Sequence, residues 1–417
     1  MKTRLYQLPH QVFLTRVETS PATSLEARFG HADFLVLRLV DLLDPSRRDP
    51  VSPDAFKYQL AASARFVREL EHEGFEVPYL LSLIDELPLA FETKEPWRLW
   101  TSLCCLSINL QDRERWAEVS DVLETTWHLV NNDWPEGEGL DVALRLGEHY
   151  VRIDRSADAA RVYRAAARRA GAGGRRALRV AQTALLLPAE AQRAEGRYRR
   201  LLREAAGAQD RCAETDVELG LAHALLAQGR AIEAAPHAWR AHQLAEHPVN
   251  AGDALLTLAT TLESLGALRS AAQAYWSPSL GHPRPTVRWR ALAGLVRVLS
   301  RLGDRMSFER WRRFGERLGG DMPSPTFEVE FVVEAARGLA RFGFSEAARR
   351  FLASAAARLD DLGCASAAPR LLKAEEELGA VAARLDLFEA KQLPPALEAV
   401  ADGVARLGDP PTPPDTP

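Results

Sequence analysis

Four histidines lie close together in the sequence, which makes them the first residues to consider as metal ligands. They are His223, His237, His242 and His247. Imidazole nitrogen is a common zinc ligand, but ligands carried by one helix must share a face. The last three histidines follow one another in steps of five residues, and each step turns the side chain by about 140° on an α-helix. The spacing therefore predicts no metal site, and we expect polar surface or connector positions.

Motifs of catalytic and cofactor sites are missing from the chain or stand in the wrong context. Gly171-Ala172-Gly173-Gly174 resembles half a dinucleotide fingerprint, but it follows a helical segment and lacks the last glycine, so we interpret it as a turn. The sequence contains no Gly-x4-Gly-Lys-Ser/Thr loop, no His-Glu-x2-His, no Cys-x2-Cys and no Gly-x-Ser-x-Gly. We therefore predict no catalytic residue, no cofactor and no metal, and expect a protein that is not an enzyme.

Cysteine and tryptophan offer two further kinds of chemistry. Cys104 and Cys105 are adjacent in an apolar helical segment, so we interpret them as core residues, with a redox role as the weaker alternative. Several tryptophans cluster in one region, where core packing explains them best and an aromatic ligand pocket is the alternative. These are Trp97, Trp100, Trp116, Trp127 and Trp134.

Charge and hydropathy exclude several classes of function. The net charge of −4 gives the chain no global attraction to nucleic acid or to an anionic membrane. The first ten residues lack the apolar core of a secretory signal, and the run 34–43 is too short and too charged to span a bilayer. Adjacent cysteines fit a reducing compartment better than a disulfide framework. We therefore predict a cytoplasmic protein that binds neither nucleic acid nor a membrane directly.

The elements that must position any site are helical throughout, because no stretch has the pattern of a strand. Residues 1–95 form an N-terminal helical section, in which Ser52 and Pro53 have the types expected at a helix start. From position 96 the apolar pattern predicts about seven helix pairs. Gly229, Gly266 and Gly303, together with Gly343, close first helices, where a left-handed cap favours glycine.

One helix pair, 140–173, shows a specific packing pattern. Leu146-Gly147 is followed by Tyr150, and Ala159 and Tyr163 are four residues apart in the second helix. Gly147 lets the second helix approach closely, Ala159 is small where the helices cross, and the tyrosines fill the space between neighbouring pairs. A single pair cannot bury its apolar face alone, so further pairs must stack on it.

This pattern resembles the tetratricopeptide repeat (TPR), a helix–turn–helix unit of about 34 residues. Other α-solenoids share the spacing and remain the alternative. The resemblance implies an all-α protein with a right-handed TPR-like superhelix of about seven helix pairs, preceded by an N-terminal helical bundle. The expected sections are 1–95, a solenoid over 96–385, a capping helix over 386–408 and a disordered tail over 409–417.

In TPR proteins the first helices of the pairs line a groove that holds a peptide, and the resemblance places residues of this chain there. Its C-terminal third brings several arginines to one wall, and arginine suits carboxylates or phosphates. We therefore expect contact with an acidic segment of a partner. The alternative is a solvated face whose arginines pair with Glu263, Glu330 and Glu334. The predicted binding residues are Glu148, Arg152, His223, Glu263, Arg290, Arg297, Arg301, Arg337 and Arg341.

The function predicted from the resemblance is a non-enzymatic scaffold whose groove binds a protein or peptide. The alternative is a peptide-sensing regulator, in which groove binding shifts the N-terminal helical section. The asparagine and lysine with which chaperone-binding TPR proteins clamp a peptide C-terminus are missing at the matching positions. The oligomeric state and the identity of the partner stay open at this point.

Overall fold

The computed structural model describes residues 9–21, 24–44, 51–70, 77–130, 134–187, 189–321, 325–361, 367–382, 394–411 and 413. These residues form twenty α-helices, three short 3₁₀ segments and no strand, which confirms the predicted all-α class. The 3₁₀ segments are Asp41–Leu43, Pro96–Leu99 and Pro395–Leu397. The helices are α1 Gln11–Thr19, α2 Leu25–Val40, α3 Pro53–Arg68, α4 Val77–Thr93, α5 Trp100–Asp112, α6 Trp116–Leu129, α7 Glu136–Arg152, α8 Ser156–Ala167, α9 Ala172–Ala184, α10 Ala191–Gly207, α11 Arg211–Ala227, α12 Ala231–Leu244, α13 Pro248–Ser264, α14 Leu268–Gly281, α15 Pro285–Arg301, α16 Arg305–Asp321, α17 Pro325–Arg341, α18 Ser345–Asp361, α19 Ala367–Ala382 and α20 Glu398–Ala405.

The chain divides into two compact units, 1–181 and 182–417, with the division inside α9. In unit 1, α2, α3 and α4 pack on one another, and α1 packs on α2 and contacts α6. The predicted boundary after residue 95 lies within this unit. There α4 packs on α5, and Ser82 and Ser102 share a hydrogen bond of 2.8 Å.

Unit 2 consists of helices that pack on their neighbours in chain order. The first helices of successive pairs, which we call A helices, are α11, α13, α15 and α17, and each has 17 residues. Each A helix packs on its own second helix, or B helix, and on the next A helix. This arrangement is compatible with a helical-repeat solenoid, as stacked hairpins that bury a continuous core require.

Six turns within helix pairs use one backbone geometry. The predicted cap glycines are all left-handed, with φ between 72° at Gly303 and 85° at Gly343. In unit 1 the same turn position is held by Glu114 and Asp154, with φ of 58° and 60°. The residue after the cap then donates its N–H back into the A helix, as Ala267 does to the Leu262 carbonyl at 2.9 Å.

Close helix approach at Gly147 is confirmed. A Cβ atom at this position would lie 2.2 Å from the Tyr163 ring, which is buried at 2 % exposure. In unit 2 the close approach occurs at a different glycine, which lies one residue before the leucine that corresponds to Leu146. Gly294 of α15 accommodates the ring of Tyr275 from the preceding B helix, where a Cβ would lie 2.4 Å away. In both units a glycine therefore lets an aromatic ring pack closely against an A helix. The ring comes from the same helix pair at Gly147 and from the preceding B helix at Gly294.

The C-terminal helices differ from the expected order. α19 packs on α17 and α18, whereas the segment predicted as a capping helix over 386–408 contains α20, which packs on α12 and α14. Gly403 of α20 lies so close to Trp239 that a Cβ would be 2.6 Å from its ring. Asp409, the first residue of the predicted tail, accepts a hydrogen bond from Gln273 at 3.0 Å. Residues 386–393, 412 and 414–417 lie outside the described residues.

Across the described residues, no helix combines the length and the apolar character needed to cross a membrane.

Candidate functional site

The A helices of unit 2 carry seven of the nine predicted binding residues, and we call this set the A-helix wall. Its members lie on α11, α13, α15 and α17, which contact one another in sequence. The remaining two predicted residues, Glu148 and Arg152, lie on α7 in unit 1. The A-helix wall consists of His223, Glu263, Arg290, Arg297, Arg301, Arg337 and Arg341.

Glu263 is the centre of an ion-pair network on the A-helix wall. Arg297 grips it with two parallel bonds, Nε to Oε1 at 2.8 Å and Nη2 to Oε2 at 2.9 Å. Arg301 donates to Oε1 at 3.0 Å, and the Tyr275 hydroxyl donates to Oε2 at 2.9 Å. Only 11 % of the Glu263 side chain is exposed. This carboxylate thus collects four donors, and a two-pronged arginine contact is the strong form of such a bond.

The electrostatics of this network favour the ionised pair. Burial acts to raise the pKa of Glu263, but the hydrogen bonds and charges of Arg297, Tyr275 and Arg301 outweigh it and lower the pKa. Burial acts to lower the pKa of Arg297, and its bond to Glu263 raises the pKa instead. Glu263 also lies next to the C-terminal residue of α13, where the helix dipole disfavours an anion. The two arginines offset that cost.

Arg337 and Arg341 lie on the next A helix and differ in their partners. Arg337 donates to Glu334 at 2.7 Å and to Glu377 of α19 at 2.5 Å. Arg341 donates to the Ser300 hydroxyl at 2.7 Å and has no carboxylate at ion-pair distance among the described residues. Burial lowers the pKa of Arg341, and the nearby arginines of the wall lower it further, against the opposing effect of Glu334. Arg341 is therefore a cation in a locally positive surrounding.

Arg290 and His223 lie toward the other end of the wall. The Arg290 side chain is exposed and makes no ion pair or hydrogen bond in the part of the chain that the structure describes. His223 shares a hydrogen bond of 3.1 Å with Thr257, and burial, followed by the charge of Arg290, lowers the pKa of the imidazole. His223 is nevertheless accessible to solvent.

The arginines of the wall thus fall into two groups. The alternative predicted from the sequence, pairing with glutamates, describes Arg297, Arg301 and Arg337, and Arg297 also lies 3.8 Å from Glu330. Arg290 and Arg341 remain without a carboxylate among the described residues. Tyr275 is not among the predicted binding residues, and no pattern in the sequence indicates that its hydroxyl donates to Glu263.

Glu148 and Arg152 lie in a different setting. Glu148 is exposed, and the Arg152 guanidinium lies 5.7 Å from the centre of the Trp116 ring. Between them in the sequence is His149, which is 4 % exposed and shares a hydrogen bond of 2.7 Å with Ser120. Burial, followed by the charges of Arg152 and Arg155, lowers the pKa of His149 to about 4.

The Ser120–His149 pair does not form a catalytic triad. The other ring nitrogen of His149 has no hydrogen-bond partner among the described residues, so no third group orients the imidazole or stabilises its protonated form. A histidine with this pKa is neutral near pH 7 and is a weak base. The sequence does not reveal this pair, because the two residues belong to different helix pairs.

Two of the other clustered histidines have separate hydrogen-bond partners. His237 is 2.6 Å from Glu218, and His242 is 3.2 Å from the Ala251 carbonyl. His247 precedes the first residue of α13. Over the described residues, no group of three or more His, Cys, Asp or Glu side chains is placed to hold a metal ion. Gly171 lies between α8 and α9, and its N–H donates to Glu136 at 2.6 Å. Ala172, Gly173 and Gly174 belong to the first turn of α9, so only Gly171 of this motif lies in the predicted turn.

No protein-family model matches the chain, and no curated protein is significantly similar to it. The class that the fold defines is therefore an all-α protein whose helices pack in adjacent pairs, compatible with a helical-repeat solenoid.

Proposed function

We propose that the chain is a non-enzymatic, TPR-like scaffold whose A-helix wall binds an acidic segment of a partner protein. The observation that carries this proposal is the pair Arg290 and Arg341, two cations of the wall with no carboxylate partner among the described residues. The TPR assignment is supported by the contact between Gly147 and Tyr163 and by the left-handed glycines after the A helices.

Arg341 has the chemistry of a carboxylate anchor. One guanidinium nitrogen donates to Ser300, and the planar group carries further N–H donors that a carboxylate can accept in pairs. The nearby Arg301 and Arg337 make the surrounding positive, which their effect on the pKa of Arg341 reflects. An incoming anion relieves this repulsion. Because the guanidinium is partly buried, solvent screens the new attraction less than it would on an open surface.

The structure also determines which residues are useful in a binding test. Arg297 and Arg301 hold the buried carboxylate of Glu263, so charge reversal there disturbs folding as well as binding. Arg290 and Arg341 lack that role. Arg269, on the B helix α14, is an exposed arginine with no partner among the described residues and supplies a matched control.

The test is fluorescence anisotropy with a labelled peptide of alternating glutamate and leucine, and with its glutamine counterpart. We expect the full chain to bind the glutamate peptide. Arg341→Gln should weaken that binding about tenfold, since a hydrogen bond to a charged group contributes about 1.5–3 kcal/mol. Arg290→Gln should weaken it less, because Arg290 is exposed to solvent, and Arg269→Gln should leave it unchanged. Equal affinity for the two peptides, or equal effects of Arg341→Gln and Arg269→Gln, would contradict the proposal.

A further inference from the structure

A second group of arginines lies in unit 1, outside the site described above. Residues 161–179 contain seven arginines and no aspartate or glutamate, in a chain whose net charge is −4. The positive charge of this segment is therefore a local property that the whole-chain charge conceals. The arginines are Arg161, Arg164, Arg168, Arg169, Arg175, Arg176 and Arg179.

Three of these arginines lie on one face of α8, beside an aromatic residue of α6. Arg161 and Arg164 lie on α8, and Arg168 follows its last residue in a helical backbone conformation, so the steps of three and four residues align them. All three are exposed. Together with half-buried Trp127 they line an open depression of about 710 Å³. We call this set, Arg161, Arg164, Arg168 and Trp127, the α8 face.

A second cavity adjoins the α8 face. It has a volume of about 400 Å³ and shares Trp127 and Arg168 with the first depression, which places the indole at the edge of both. Arg169 also lines it and is held by a hydrogen bond of 2.9 Å to the Val130 carbonyl. Trp127 is therefore a half-buried aromatic side chain that lines both depressions beside guanidinium groups.

The arginines of the α8 face are poorly neutralised. Arg161 pairs with Asp158, which Arg155 also contacts at 2.7 Å. Arg164 donates only to the Ala160 carbonyl of its own helix, at 3.1 Å. The Arg168 side chain makes no hydrogen bond or ion pair with any described residue. One carboxylate among the described residues thus pairs with this face, and the remaining positive charge is available to an external anion.

We infer that the α8 face binds single-stranded nucleic acid. Side chains three and four residues apart on a helix have Cβ atoms about 5–6 Å apart, so neighbouring guanidinium groups can follow successive phosphates of one strand. The arginine guanidinium matches the geometry of a phosphate group, and any of the bases can stack on an aromatic side chain such as the indole of Trp127. An acidic peptide would use the arginines but has no base to place on Trp127. The inference revises the expectation, based on whole-chain charge, that the chain does not bind nucleic acid directly.

The test measures binding of the full chain to a labelled oligothymidylate by fluorescence anisotropy over a range of salt concentrations. Each phosphate contact contributes about −0.7 to the slope of log K against log salt for single strands. The Arg164→Gln/Arg168→Gln double variant should weaken binding at low salt and reduce the size of that slope by about 1.4. Arg269→Gln, which removes an exposed arginine elsewhere, should change neither quantity.

The stacking step has its own variants. Trp127→Leu should weaken binding about tenfold, whereas Trp127→Phe, which keeps an aromatic ring, should retain most of it. Thermal unfolding of each variant establishes that the chain is folded. The inference fails if the oligonucleotide does not bind at low salt, or if the double variant binds with an unchanged salt slope. It also fails if polyglutamate or vesicles with anionic headgroups bind equally well and are indifferent to Trp127→Leu. None of these results bears on the A-helix wall, which the peptide experiment tests separately.

Discussion

The A-helix wall and the α8 face are both rich in arginine. The two sets differ in how exposed the side chains are and in whether a carboxylate pairs with them. On the wall, Arg297 and Arg301 share Glu263, and their side chains are 25 % and 20 % exposed. On the α8 face, the Arg161 side chain is 71 % exposed, and Arg168 has no partner among the described residues. Arg297 and Arg301 are thus mostly buried and paired across a helix contact, whereas Arg161 is exposed and paired only within α8, and Arg168 is exposed without a partner among the described residues.

Whether an arginine is paired depends on whether a neighbouring helix supplies a carboxylate. α13 presents Glu263 to α15, and α19 presents Glu377 to α17, so most arginines of the wall meet a carboxylate across a helix contact. The carboxylate at the α8 face is Asp158, which belongs to α8 itself. A buried charge without a partner costs several kcal/mol, whereas an exposed one is solvated by water. The difference predicts a large loss of stability on mutation of the first region and a small change on mutation of the second.

The largest effect is expected for Glu263→Gln. The amide cannot balance the charges of Arg297 and Arg301, and it leaves two partly buried cations without their anion. Removal of one partner from a buried network typically costs 3–5 kcal/mol, so we expect the free energy of unfolding of unit 2 to fall by about 4 kcal/mol. Urea denaturation measures this difference.

Glu346→Gln is the matched control for Glu263→Gln. Its side chain is 71 % exposed and lies 3.6 Å from Arg349 in the same helix. The free energy of unfolding should change by less than about 0.5 kcal/mol. If Glu263→Gln and the control change the free energy of unfolding by similar amounts, water solvates Arg297 and Arg301 well enough that pairing with Glu263 does not stabilise unit 2.

The turns and the helix pairs could be predicted from the sequence because their chemistry is local. Gly229 and Gly266 are recognisable because glycine is the residue that tolerates a left-handed backbone at low cost. Glu114 and Asp154 take the same conformation without any such signature. Gly294 was missed as a packing glycine, because which side of an A helix an aromatic ring approaches depends on the neighbouring pair.

The partners within the site could not be predicted to the same extent. Repeat spacing places Arg297 and Arg341 on the same type of surface, yet one is bound to Glu263 and the other to Ser300. That difference depends on lateral contacts between helices that are distant in the sequence. The position of α20 on α12 and α14 has the same origin, since amphipathic character shows that a helix must be covered but not by which surface.

His10 tests whether pairing follows burial in unit 1 as well. Its ring is buried, bonded to Asp121 through Nδ1 and 3.1 Å from Asp41 through Nε2, and Arg38 also contacts Asp41. Burial acts to lower the pKa of His10, but Asp121 and Asp41 raise it from 6.5 to about 9. Because the folded state has the higher pKa, this stabilisation is complete below about pH 6.5 and is lost as the pH rises through about 9.

The expected stabilisation by protonated His10 is about 3 kcal/mol, since one pKa unit corresponds to 1.36 kcal/mol. We therefore expect the difference in unfolding free energy between the native chain and His10→Gln to shrink by about this amount between pH 6 and pH 10. His128→Gln, at an exposed position of α6, should show a difference that does not depend on pH in this way. If the difference in unfolding free energy between the native chain and His10→Gln does not change with pH, His10 is buried without a stabilising charge pair.

The smallest effect is expected at Arg168. Arg164 and Arg168 are like charges four residues apart, an arrangement that destabilises a helix by about 0.2–0.5 kcal/mol. Arg168→Gln removes this repulsion, but it also removes a cation from the C-terminal end of α8, where the helix dipole favours a positive charge by about 0.3–1 kcal/mol. The two effects oppose each other, so the free energy of unfolding should change by less than about 0.5 kcal/mol at low salt, and added salt should reduce the change further. Arg297→Gln, the same exchange on the A-helix wall, should lower stability at every salt concentration because it removes both bonds of the fork on Glu263. Urea denaturation of the two variants at low and high salt measures both responses. A loss of more than about 1 kcal/mol for Arg168→Gln would mean that this arginine is bound within unit 1. A gain, together with weaker oligonucleotide binding by the same variant, would mean that the α8 face keeps a repulsive charge cluster that an external anion relieves.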